Sequence, residues 1–138
     1  MRKPVAALLL VVALTAGAQE APRKMPRLIS TEFIGSSGAP DDGYTTSTAR
    51  RITSYKDNTI FLVSYISSCG QTGRDLKPSW KNGELNLTFD LYSPNGAYVM
   101  SDCEYWAKFT FGTDAILLRS IKVNGETPKL LGRWPKGR

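Results

Sequence analysis

Histidine is absent from this chain of 138 residues. Its absence removes the usual general base, the Ser/His and Cys/His nucleophile pairs and the commonest metal ligand. What remains for acid–base work is carboxylate chemistry, in which two acids flank a scissile bond. The candidates are Asp41 and Asp42, Asp90, and Asp102 with Glu104. Asp41-Asp42-Gly43 could offer oxygens to calcium, but that ion takes six to eight ligands and the neighbouring residues supply too few. Asp102 and Glu104 are two residues apart, so on a strand they face the same way. No glycine-rich phosphate loop and no metalloprotease helix motif is present. The expectation is a protein that is not an enzyme and uses no metal or cofactor, with a carboxylate-dependent hydrolase as the competing class.

Aromatic side chains set among polar ones suggest a different chemistry, that of binding. Tyr92 follows Asp90 by two residues, and Trp106 precedes Lys108 by two. Each pair projects from one face of an extended segment. Aromatic rings with polar neighbours supply large contact area and stack on partner groups. Near the C-terminus Arg133, Trp134 and Lys136 combine basic and aromatic character, which suits an anionic glycan or lipid surface. The segment from Lys129 to Arg138 is too short, and too interrupted by Gly132 and Pro135, for an amphipathic helix. Leu130, Leu131 and Trp134 are therefore expected to cap the edge of the core.

The segments that carry these residues read as β-structure. Leu85, Leu87, Phe89 and Leu91 alternate with Asn86, Thr88, Asp90 and Tyr92, the pattern of a half-buried strand over 84–92. Over 103–111, Cys103, Tyr105, Ala107, Phe109 and Phe111 alternate with Glu104, Trp106, Lys108 and Thr110 in the same way. If these two strands share a sheet, their free sides form one polar face carrying Tyr92 and Trp106. Residues 59–68 place apolar side chains at both parities, which predicts a central strand covered on both faces. Further strands are expected at 28–34, 51–55, 97–100 and 115–123. Turns fall at 56–58, Asn82-Gly83, 94–96, 112–114 and Asn124-Gly125. Residues 35–50 read as a long loop and 70–81 as a polar connection. The fold class is all-β, an antiparallel sandwich or small flattened barrel of about seven strands.

The N-terminal residues predict a destination. Arg2 and Lys3 precede an apolar run from Val5 to Ala16, and Ala16-Gly17-Ala18 supplies a small–x–small cleavage site. The run is shorter than the roughly twenty residues needed to span a bilayer. Residues 1–18 are read as a cleaved secretory signal of bacterial type, 19–27 as a flexible basic leader, and 28–138 as a single all-β domain with a basic tail. An exported chain with two cysteines is expected to pair them, Cys69 with Cys103. Without the signal, 120 residues remain, with 16 basic and 12 acidic side chains, net +4. The excess sits at the ends, +2 over 19–27 and +4 over 122–138, whereas 28–121 carries −2. Basic ends raise the local concentration of polyanions without selecting among them. An exported protein seldom meets nucleic acid, so none is expected as a partner.

One short segment carries a family likeness. Ser93-Pro94-Asn95-Gly96-Ala97-Tyr98 resembles the Ser–Gly–Tyr loop of bacterial periplasmic inhibitors of c-type lysozyme. Those are small exported β-barrels with a disulfide. The likeness covers six residues, its Gly-to-Tyr spacing is shorter than the family's, and the family's downstream Ser-Lys-Gly run is missing. It implies an inhibitor or immunity protein against a secreted enzyme or toxin. The principal expectation is an exported, periplasmic or secreted binding module of the bacterial envelope. Its polar and aromatic face and its basic ends would meet an envelope or secreted protein, or an anionic glycan or lipid surface.

Overall fold

A two-residue hydrophobic period leaves one side of each extended segment apolar, and two such sides must meet to exclude water. In the computed structural model, which describes residues 24–40, 46–53, 57–97, 99–112 and 118–134, eight strands do this in two sheets. They are β1 (Leu28–Ser36), β2 (Ser47–Thr53), β3 (Thr59–Ser68), β4 (Thr72–Lys81), β5 (Glu84–Tyr92), β6 (Asp102–Phe111), β7 (Ser120–Val123) and β8 (Lys129–Leu131). One sheet has the order β1-β6-β3-β2-β8 and the other β4-β5-β7. The architecture is an all-β sandwich. Its neighbours are antiparallel except at two sheet edges, where β8 runs parallel to β2 and β7 parallel to β5.

The core forms where the apolar sides meet. Phe61 and Val63 of β3, with Tyr105, Ala107, Phe109 and Phe111 of β6, pack from the larger sheet. Leu85, Leu87 and Phe89 of β5, with Ile121 and Val123 of β7, pack from the smaller one. Each Val, Leu, Ile or Phe among them contributes about 1.5–3 kcal/mol by leaving water. Rings tie the layers together: Phe33 of β1 meets Phe89 at 6.2 Å between centroids, and Tyr65 of β3 meets Phe89 at 6.4 Å. At the β3–β4 corner the Cys69–Cys103 disulfide is present, with 4.9 Å between Cα atoms. The tight turn expected at Asn82-Gly83 joins β4 to β5, both residues adopting positive φ.

Several boundaries differ from the sequence reading. Residues 70–81 do not form a polar connection, because 72–81 is the edge strand β4. A bulge between Arg74 and Lys77 and the presence of Pro78 hid its alternation, and both features belong on sheet edges. The expected strand at 97–100 is absent among the described residues of that segment, whereas the tail supplies the short strand β8. Strand β2 begins at Ser47, four residues before the expected start. The strand expected over 115–123 starts at Ser120, and 115–117 lie outside the described residues. Residues 1–23, holding the proposed signal and most of the leader, also lie outside them, as do Asp41, Asp42 and Lys136. Strand β3 is central as expected, yet among the described residues only one of its faces is covered by the other sheet.

Candidate functional site

The open face of the larger sheet is built from the residues of β3 and β6 that alternate away from the core. Along β3 these are Ile60, Leu62, Ser64 and Ile66, and their partners on β6 are Thr110, Lys108, Trp106 and Glu104. Strand β2 sets Ile52, Arg50 and Thr48 beside Ile60, Leu62 and Ser64. Strand β1 sets Glu32 beside Lys108, and Ile34 lies in a bulge next to it, 52% exposed. The result is an apolar strip of Ile52, Ile60, Leu62 and Ile66 with Trp106 at its centre and charges along its margins.

The middle of this strip is held in place. The Trp106 Nε1 donates to the Ser37 hydroxyl at 2.9 Å, which pins the indole over the sheet. The Ser64 hydroxyl shares a hydrogen bond of 2.5 Å with Thr48, and Ser64 is buried although it lies on the open side. Lys108 Nζ approaches Glu32 Oε2 at 3.1 Å, a surface pair of small energetic value that orients both side chains. An ordered aromatic ring flanked by branched aliphatic groups and rimmed by charge is the arrangement of an interface hot spot.

Tyr92 and Asp90 do not share that face. Strand β5 belongs to the three-stranded sheet and β6 to the five-stranded sheet, so their free sides point away from opposite layers. The expected joint Tyr92/Trp106 face is thereby replaced by two separate ones. On the smaller sheet, Asp90 accepts from Arg74 Nε at 2.8 Å, and the guanidinium lies 4.1 Å from the Tyr92 ring centre. The hydrogen bond to Asp90 raises the Arg74 pKa further above its ordinary range. Thr88 donates to the Lys77 carbonyl and Asn86 accepts from the Gly125 amide. These polar side chains are engaged in holding the sheet's own turns and strands.

Of the C-terminal candidates, Trp134 packs inward. Its ring stacks on Phe61 at 6.0 Å and its Nε1 donates to the Leu131 carbonyl at 2.8 Å, so it caps the core edge as expected. Leu130, expected to join that cap, is 49% exposed. Arg133 and Trp134 border a shallow open depression of about 420 Å³ completed by Arg51 and Thr53. Sequence reasoning missed these last two, because β2 brings them there only through its parallel pairing with β8. The carboxylates are likewise divided: Asp90 lies on the smaller sheet, while Asp102 and Glu104 are on β6 of the larger. The segment Ser93–Ala97 forms a turn in which Ser93 Oγ donates to the Ala97 carbonyl at 2.8 Å.

Among the described residues no three His, Cys, Asp or Glu side chains gather as a metal site would require, and no helix is long and apolar enough to cross a membrane. The chain matches no protein-family model, no curated protein sequence and no solved structure.

Proposed function

We propose that this chain is an exported, non-enzymatic binding module that docks a protein on the open face of its five-stranded sheet. The carrying observation is the half-buried strip Ile60, Leu62 and Ile66 beside the pinned indole of Trp106, over which no second sheet lies among the described residues. A residue pattern apolar on both sides of a central strand is ordinarily matched by burial on both sides. A partner protein would supply the second cover. Export rests on the basic and apolar N-terminal residues with their Ala16-Gly17-Ala18 site, and the Cys69–Cys103 bond suits an oxidising compartment.

The test is capture from envelope extract by the immobilised oxidised protein, washed at low and then high salt. Charge–charge contacts between exposed groups are screened within about 10 Å at 0.1 M salt, whereas a packed apolar contact survives. A protein retained at high salt by the native chain and lost on Trp106→Ala, but kept on Arg74→Ala, supports the reading. Trp106→Ala at a hot spot lowers affinity about tenfold or more. Capture that is indifferent to Trp106→Ala rejects it.

A second reading is favoured by the depression between Arg51, Thr53, Arg133 and Trp134. The Arg133 guanidinium beside an indole suits the carboxylate and ring of an acidic sugar. Titration with a uronic acid oligosaccharide, monitored by tryptophan fluorescence, would show saturable binding that Arg133→Ala weakens. Binding unaffected by that substitution removes this second reading.

A further inference from the structure

We propose that the open face of the five-stranded sheet is covered by the same face of a second copy of this chain. The two copies are related by a two-fold axis running across the strands above the Ser64–Trp106 pair. This inference rests on the docking reading above and names its partner.

The register decides the geometry. Across β3 and β6 the open face reads as successive rows, Ile60–Thr110, Leu62–Lys108, Ser64–Trp106 and Ile66–Glu104. Rows on one face are two residues apart, about 6.7 Å along a strand. Turning a copy over about the Ser64–Trp106 row exchanges the rows on either side of it. Leu62 then lies over the partner's Ile66, and Ile66 over the partner's Leu62. Lys108, which also pairs with Glu32 of its own chain at 3.1 Å, lies over the partner's Glu104 in the same motion, and Glu104 over the partner's Lys108. Trp106 meets the partner's Trp106 at the axis. Apolar groups thus face apolar groups, and two symmetric charge pairs flank them, the self-complementarity that an isologous interface requires. Sheets stacked face to face cross at about 30°, which leaves the rows nearest the axis in contact.

The other two-fold arrangement, with its axis along β3, keeps every row at its own level and exchanges the two sides of the sheet. Arg50 flanks Leu62 on one side and Lys108 flanks it on the other. That arrangement would set Arg50 over the partner's Lys108, like charge on like charge, so the crosswise axis is favoured. Edge-to-edge pairing through β1 is opposed by its two register irregularities, between Leu28 and Ser30 and between Phe33 and Gly35. Five strands about 4.8 Å apart and some seven residues long offer roughly 500 Å² per copy, near the lower bound for a specific interface. The dimer is therefore concentration-dependent.

Sedimentation equilibrium of the purified, oxidised chain over a range from about 1 to 500 µM reads this out, with thermal melts to confirm that each variant folds. The native chain shifts from monomer to dimer with concentration. Leu62→Asp abolishes the shift. Lys108→Glu and Glu104→Lys each weaken dimerisation at least tenfold, and the double variant recovers most of that loss because the pair is exchanged across the axis. A monomer at every concentration overturns the inference, as does a dimer indifferent to Leu62→Asp or a double variant no better than the singles. If the native chain stays monomeric yet captures another protein in a Trp106-dependent way, the second copy is wrong and the docking reading stands. If it is monomeric and capture ignores Trp106→Ala, both fail.

Discussion

The hydroxyl of Tyr105 donates to the Ser68 carbonyl at 2.6 Å and accepts from the Gln71 amide at 3.0 Å, at the corner where the chain leaves β3 for β4. The residue is 1% exposed, and removing its hydroxyl leaves two half-buried backbone groups without this partner. Tyr105→Phe is expected to cost about 1–3 kcal/mol in chemical denaturation, and a change under about 0.5 kcal/mol would show that the corner is held by other contacts. Tyr65 is a second informative tyrosine. Partial burial, and then the Glu126 carboxylate beside its hydroxyl, raise its pKa above the ordinary value. The unfolded chain therefore releases this proton at lower pH than the folded one. The resulting contribution to stability is fully present below about pH 10 and is lost as pH rises through the folded pKa. Tyr65→Phe should reduce the alkaline fall in stability, and an unchanged denaturation profile between pH 9 and 12 would contradict that assignment.

At the scale of elements, the least legible strand was β4 and the reason lies in its position. An edge strand needs only one hydrogen-bonded neighbour, so it tolerates Pro78, the bulge at Arg74–Lys77 and the positive φ of Asp75. Its alternate residues Leu76 and Trp80 do pack on the core, but Gly73 and Pro78 interrupt the apolar signal. Gly73 itself has a structural cause: a Cβ there would stand 2.3 Å from Cδ1 of Phe33. The backbone of β4 passes directly over the ring of β1. Gly73→Ala should therefore destabilise by about 1–3 kcal/mol through overpacking, and Phe33→Leu in the same chain should recover part of that loss. Additive costs in the double variant would refute the contact. By contrast β3 and β5 matched their expected boundaries, because each has an apolar run or alternation bounded by turn residues.

For the molecule as a whole, the disulfide joins residues 34 positions apart and closes a segment that includes all of β4 and β5. The crosslink therefore joins the larger sheet to the start of the excursion that builds the smaller one. Chain-entropy arguments assign it about 3–4 kcal/mol, which corresponds to a fall in Tm of roughly 10 °C or more on reduction for a domain of this size. A reduced protein that melts within about 3 °C of the oxidised one would mean that the unfolded chain is little constrained by the bond. The same two-layer layout separates the chemistry. Asp90 and Arg74 are committed to each other on the smaller sheet, while Trp106 and Lys108 stand on the larger.

The sequence by itself determined the class of fold, because period-two alternation and the turn dipeptides are local properties that the backbone must obey. It also determined the cysteine pair, since only two were present to join. Which strands become neighbours is a property of the packed chain. Two half-buried strands such as β5 and β6 look alike in sequence whether they share a sheet or oppose one another across a core. The tertiary structure put them in different layers, dissolving the Tyr92/Trp106 face, and drew Arg51 toward Arg133 through a parallel pairing that no local pattern encodes. It also left the outer side of β3 without a covering layer among the described residues, because the second sheet has one core-facing side and can cover only one side of the first.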